Sequence, residues 1–154
     1  MIAVRFCLAL VLLWPLRPAW ALDPAAADIL TLRLGMTDAE VITRLDTQGA
    51  RIARDGGTIR ARTKDGDLRV AFDDGGRVSR IVYAFTGHGL NEAAAVREAV
   101  IERFGTPVAE APLAWCRRPA RDGACPADAP RLVFEQGAGQ GPIGLLTLTA
   151  AEPR

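Results

Sequence analysis

Histidine is almost missing from this chain: there is one in 154 residues, His88, set between Gly87 and Gly89. Acid–base and nucleophilic catalysis need converging titratable groups, and no motif assembles a nucleophile and an orienting acid around a lone loop imidazole. No catalytic set is expected, so the chain reads as a non-enzyme. Cysteine is scarce too, with Cys7, Cys116 and Cys125 and no Cys-x-x-Cys. That absence removes the common redox motif, and the wide spacing of the last two cysteines does not match structural zinc patterns even with His88 added as a third ligand. Asp73 and Asp74 lack the twelve-residue calcium loop around them. The glycines Gly137, Gly139 and Gly141 lack the Lys-Ser or Lys-Thr that completes a phosphate loop. No metal, nucleotide or other cofactor is expected.

A long hydrophobic run is also missing. The apolar stretch from Phe6 to Trp14 is too short for a spanning helix, which needs about 20 residues, and Pro15 and Pro18 interrupt it. With Arg5 ahead of it and the small-x-small site Ala19, Trp20, Ala21 behind, it reads as an export signal over residues 1–21, cleaved after Ala21. The expected location is the periplasm or the exterior. An acylated lipoprotein needs a cysteine at the cleavage point, and Leu22 stands there, so no stable membrane anchor is expected.

Charge of one sign is lacking as well. Without Arg5 and Arg17 the remaining 17 basic residues nearly balance 18 acidic ones. There is no global field to draw in a polyanion, which excludes nucleic acid as a partner. Residues 22–154 suffice for one compact domain. Cys7 leaves with the leader, and the even pair Cys116 and Cys125 reads as a disulfide in an oxidising compartment, worth about 2–3 kcal/mol through restriction of the unfolded chain.

What is present is a strong local pattern. Thr37 followed by Glu40 is a capping box that opens a helix carrying Val41, Ile42 and Leu45 on one stripe, with Gly35 turning the chain into it. Asp23 and Pro24 predict a shorter helix over 25–32 before it. Alternation then replaces the helical period, giving strands over 58–64, 68–73 and 78–85. A two-residue turn at Asp65 and Gly66 sets Lys64 opposite Asp67, Arg62 opposite Arg69, Ala61 opposite Val70 and Ile59 opposite Phe72. A four-residue reversal at Asp73–Gly76 sets Val70 opposite Ile81 and Leu68 opposite Tyr83. Val78 and Val82 then point away from the apolar face, which requires a bulge or a second layer. Asn91 caps a further helix to Phe104, stopped by Gly105 and Pro107, and three strands follow near 113–116, 131–135 and 143–149.

The expected fold class is therefore α+β, with helices packed on one face of an antiparallel sheet. It consists of two similar half-units, about 22–87 (helix-helix-β-β-β) and 88–154 (helix-β-β-β).

Leu32, Leu34, Gly35, Met36, Thr37, Glu40, Val41 and Leu45, with Phe72, Asp73, Gly76, Arg77, Val78 and Ile81, carry a resemblance to the SmpA/OmlA family of small bacterial envelope domains, over about residues 24–83. The family includes the accessory lipoprotein of the outer-membrane β-barrel assembly machine. The resemblance implies a helical pair on a three-stranded antiparallel sheet and a role as an envelope-assembly accessory module. The sequence departs from that family in having no cysteine at the end of the leader and no Gly-x-Pro after Leu45. Tandem use of such a unit resembles the secreted β-lactamase inhibitor proteins, which hold an enzyme against a concave sheet.

The candidate site is the polar sheet face, where the register gathers Arg60, Arg62, Arg69 and Arg80. Guanidinium groups there can hold a partner's carboxylates in bidentate fashion. The first expectation is a non-catalytic, periplasmic protein-binding module with a protein partner in the cell envelope. The alternative is an inhibitor of a periplasmic or extracellular hydrolase that uses the bridged loop as a probe. Tyr83 is expected in the core, and Trp115 is expected to pack on the disulfide.

Overall fold

The computed structural model describes residues 22–87, 90–137 and 141–152; the leader, His88 and Gly139 lie outside the described residues. Along the described chain run α1 (Asp38–Thr47), β1 (Arg51–Asp55), β2 (Thr58–Arg62), β3 (Gly66–Phe72), β4 (Val78–Phe85), α2 (Leu90–Phe104), β5 (Ala109–Glu110), β6 (Leu113–Cys116), β7 (Arg131–Gln136) and β8 (Gly144–Thr149). All eight strands form one antiparallel sheet in the order β1-β2-β3-β4-β8-β7-β6-β5. The expected α+β pattern of helix-helix-β-β-β and helix-β-β-β is overturned. The chain is mostly sheet, and each half consists of one helix followed by four strands.

The helix expected over 25–32 does not form. After one turn, in which Asp23 accepts from the N–H of Ala25, the chain folds into a tight reversal. Ile29 and Leu32 exchange both backbone hydrogen bonds at 3.0 Å, and Leu30 and Thr31 between them have φ of 52° and 67°. Burying Ile29 and Leu32, at 3% and 0% exposure, decides against the helix that the apolar spacing suggests. α1 begins where the capping box puts it: the Glu40 N–H donates to the Thr37 hydroxyl, and the Thr37 N–H donates to the Glu40 carboxylate at 2.7 Å.

Two strands escaped the sequence pattern. β1 carries only one apolar side chain toward the core, Ile52, and Arg54, on the same face but exposed, is paired with Asp38 of α1 at 2.7 Å. Its hairpin to β2 turns on Gly56 and Gly57, both at positive φ, where a side chain would be strained. β5 is a two-residue edge strand.

The β2–β3 register differs from the expected one by two residues: Arg62 faces Asp67, Ala61 faces Leu68, Arg60 faces Arg69 and Ile59 faces Val70. Gly66 belongs to β3 and not to the turn. Its carbonyl accepts from both the N–H and the hydroxyl of Thr63, whose oxygen also lies 2.9 Å from the Tyr83 hydroxyl. A slip of two leaves every side chain on its original face, so the core pattern survives it. Between β3 and β4, Leu68 faces Tyr83 and Val70 faces Ile81. A bulge at Ala71/Phe72 then pairs Phe72 with Val78 and turns Val78 into the core at 2% exposure.

Two apolar rows cross the sheet from one half to the other. One runs Ile59, Val70, Ile81, Leu148, Leu132, Trp115, and the second runs Ala61, Leu68, Tyr83, Leu146, Phe134, Leu113. Val41 and Leu45 of α1, with Val100 and Phe104 of α2, join these rows in a single buried cluster. Trp115 belongs to it and does not pack on the disulfide. Its indole N–H donates to the Gly105 carbonyl at 2.9 Å and its ring meets Phe104, because neighbours on a strand point to opposite faces and Cys116 takes the other one.

Candidate functional site

The second face of the sheet is the one the cationic candidates occupy. Strand alternation puts Arg60, Arg62, Arg69 and Arg80 there together, all exposed. Their surroundings divide them into two kinds. Arg60 is bound to Asp55 of β1 at 2.6 Å, and Arg62 donates from Nε to Asp67 at 2.8 Å, with a second contact at 3.4 Å. Each of these guanidiniums already has its carboxylate. The hydrogen bond from Arg62 holds Asp67 below the ordinary carboxylate range, and the same bond pushes Arg62 up.

Arg69 and Arg80 have no carboxylate within ion-pair distance among the described residues. Arg69 stands opposite Arg60 on one side and Val82 on the other, while Arg80 stands opposite Ala71 and Thr149. The two lie a diagonal step apart across the β3–β4 pair, about 7–8 Å at the backbone, within reach of one partner carboxylate cluster. Next to them a half-buried strip, Val82, Thr147 and Val133, continues across β4, β8 and β7 without a helix over it. A face with a half-buried valine–threonine–valine strip and two guanidiniums outside any ion pair can take up a protein surface that carries acids around an apolar patch.

At the far end of this face Cys116 and Cys125 form a disulfide with a Cα separation of 5.7 Å, so the pair expected to bridge does bridge. The loop it ties down exposes Arg117, Arg118 and Arg121. An oxidised pair fits an oxidising compartment, and no described helix is long and apolar enough to cross a membrane. Of the other residues weighed for chemistry, Asp73 is a turn residue that accepts from the Arg77 N–H at 2.8 Å, and Tyr83 is 4% exposed, its phenol pushed up by burial. Among the described residues no three His, Cys, Asp or Glu side chains are grouped to hold a metal ion.

Sequence reasoning missed an apolar slot on the core side of the sheet, between α2 and the reversal at 29–32. The spacing of Val96, Val100 and Arg103 on α2 is compatible with it, but nothing local to the sequence announces the turn that forms its other wall. No family model matches this chain, and neither a curated protein nor a solved structure matches it. The functional argument therefore rests on the chain's own geometry.

Proposed function

We propose that the chain is a non-catalytic protein-binding or envelope-assembly accessory module, exported to the periplasm or the exterior by cleavage after Ala21, that docks a protein partner on the open sheet face through Arg60, Arg62, Arg69 and Arg80. The observation that carries this reading is the face without a helix over it: a half-buried strip at Val82, Thr147 and Val133 beside two guanidiniums, Arg69 and Arg80, that form no ion pair among the described residues. Arg60 and Arg62 contribute as pairs that a partner can reorganise, and Arg69 and Arg80 as the primary contacts.

A photo-crosslinking residue at Val82 tests it in cells. The expected product is a discrete adduct with one envelope protein, lost in the Arg69→Ala/Arg80→Ala variant. An adduct that forms equally from exposed Glu98 on α2, or that survives loss of both arginines, would remove this face from consideration.

The bridged loop favours a second reading, inhibition of a hydrolase, because Arg117, Arg118 and Arg121 project from a loop fixed at both ends by the Cys116–Cys125 bond. Purified protein should then slow a periplasmic or extracellular hydrolase, and opening the bridge with Cys116→Ser/Cys125→Ser should abolish the effect. A panel of such enzymes left untouched at micromolar concentration counts against inhibition.

A further inference from the structure

The slot missed by the sequence has a volume of about 190 Å³ and an almost wholly apolar lining. Val96 and Val100 of α2 form one wall, and Tyr83, Phe85 and Leu146 form the floor. Its volume is comparable with that of the closed apolar cavities of about 150 Å³ that take up small hydrocarbons, and unlike them it opens to solvent on one side.

The rim is charged and not neutral. Arg103 and Asp28 both border the slot, and Asp28 serves two cations at once: Arg103 contacts one carboxylate oxygen, and Arg33 lies 3.9 Å from the other. Two guanidiniums share one carboxylate, so the mouth carries a surplus positive charge. The guanidinium of Arg103 also lies 5.5 Å above the ring of Phe104, a second lining residue, at the end of α2. On the far side of Leu30 and Tyr83 a second cavity of about 500 Å³ is bordered by Arg51, by Arg62 with its partner Asp67 and by Lys64 beside Asp65, which leaves Arg51 as the surplus cation. An apolar slot thus lies between two regions of net positive charge.

Leu30 is shared by both cavities, and its backbone is strained. A non-glycine residue in the left-handed region costs about 1–2 kcal/mol, and both Leu30 and Thr31 are there. Gln48 holds the pair in place, its Nε2 donating to the Leu30 carbonyl at 2.8 Å and to the Thr31 hydroxyl at 3.0 Å. Such strain persists where the surroundings over-determine it, and ligand clamps are a common setting. Here it fixes a leucine side chain as the partition between a greasy slot and a cationic recess.

We propose that the slot binds a single-chain anionic amphiphile, a fatty carboxylate, with its hydrocarbon tail between α2 and the sheet and its head group on Arg103. The volume takes a short length of one hydrocarbon chain, and the open side leaves room for the rest of the tail to run out of it. Charge complementarity selects the head group: Asp28 is shared between Arg103 and Arg33, so a ligand carboxylate joins two guanidiniums that hold one acid between them and can accept from Arg103, whereas a cationic head meets like charge.

Calorimetric titration of the purified protein with decanoate, decyltrimethylammonium and decanol tests this directly. Decanoate is expected to bind saturably at one per chain, and decyltrimethylammonium at least about tenfold more weakly. Ala99 lines the slot from an exposed position on α2, so Ala99→Phe should fill it, leave the melting temperature in place and lower decanoate affinity at least about tenfold. Arg103→Gln should weaken decanoate while leaving decanol unchanged, a split that a merely structural arginine would not give. Absence of saturable binding, equal binding of the cationic analogue, or full binding by Ala99→Phe would each overturn the proposal. So would recruitment to phosphatidylglycerol vesicles without decanoate binding, because the occupant would then be a bilayer surface. The slot and the arginine face lie on opposite sides of the sheet, so loss of the Val82 adduct and loss of decanoate binding are separate results.

Discussion

Leu148→Ala is the substitution that most directly probes whether the two halves share a core. Leu148 is fully buried on β8, with Ile81 of β4 opposite it on one side and Leu132 of β7 on the other. It is the point where the apolar row passes from one half of the sheet to the other. Truncation removes three carbons and leaves a cavity flanked by two β-branched or branched neighbours that the strand pairing holds apart, so partial collapse is the most the site can manage. The expected cost is about 3–4 kcal/mol. For a chain of this size each kcal/mol lowers the melting temperature by about 3–5 °C, so the midpoint should fall by about 9–20 °C. The assay follows the same unfolding by far-UV circular dichroism and by the fluorescence of Trp115, with hydrogen exchange of β2 and β3 amides as the report from the distant half. Coincident transitions, all displaced, are expected. If Trp115 unfolds early while the β2–β3 amides keep their protection, the halves are separate cooperative units and the argument from a continuous row fails.

Gly66→Ala should be destabilising by about 1–3 kcal/mol, since a Cβ there collides with the Ala84 carbonyl and lies 2.8 Å from Tyr83 Cζ. An alanine variant as stable as the parent in urea would contradict the pairing of Gly66 with Phe85. Thr37→Ala removes the cap of α1 and should cost about 1 kcal/mol at neutral pH by thermal melt. Hydrogen bonds from Thr37 lower the Glu40 pKa below its ordinary 4.5, so Glu40 stabilises the folded state above that value and the contribution is lost as pH falls through the folded-state pKa. The stability difference between the parent and Glu40→Gln should therefore shrink between pH 7 and pH 3; a constant difference would refute the linkage. Cys116→Ser/Cys125→Ser should lose about 2–3 kcal/mol, because the bond closes a short loop in the unfolded chain. A denaturation midpoint that is the same in both proteins without reductant would show that the bridge does not form.

The parts of the fold that could be read from the sequence are those written in a few consecutive residues. The capping box at Thr37 and Glu40 needs no tertiary context, and neither does the assignment of faces in β2, β3 and β4, because period-2 alternation settles which side chains go in. The helix expected at 25–32 failed for the opposite reason. Its apolar spacing suits a helix, but burying Ile29 and Leu32 together against the sheet forces Leu30 and Thr31 to positive φ, a cost that only tertiary contacts offset. β1 was recoverable from the Gly56–Gly57 hairpin signal, and it was obscured by having one inward apolar residue and, on the same face, an exposed arginine whose partner is on α1.

The candidate site depends on the same distinction. Alternation alone places four arginines on one face, and that part is correct. How many of them remain available is a matter of register, because an ion pair depends on the side chain directly opposite. With Asp67 facing Lys64, Arg62 would be free; with Asp67 facing Arg62, it is neutralised. Asp55 neutralises Arg60 from a strand that alternation did not reveal. Hydrophobic patterning cannot detect a slip of two, since both registers bury the same residues. The distinguishing contact is the Thr63–Tyr83 hydrogen bond, formed between residues twenty apart in the chain, which seats the Tyr83 phenol beneath the 63–66 turn and requires a residue without Cβ at Gly66. On β3 and β4 the guanidiniums left outside any ion pair among the described residues are therefore Arg69 and Arg80, next to Val82.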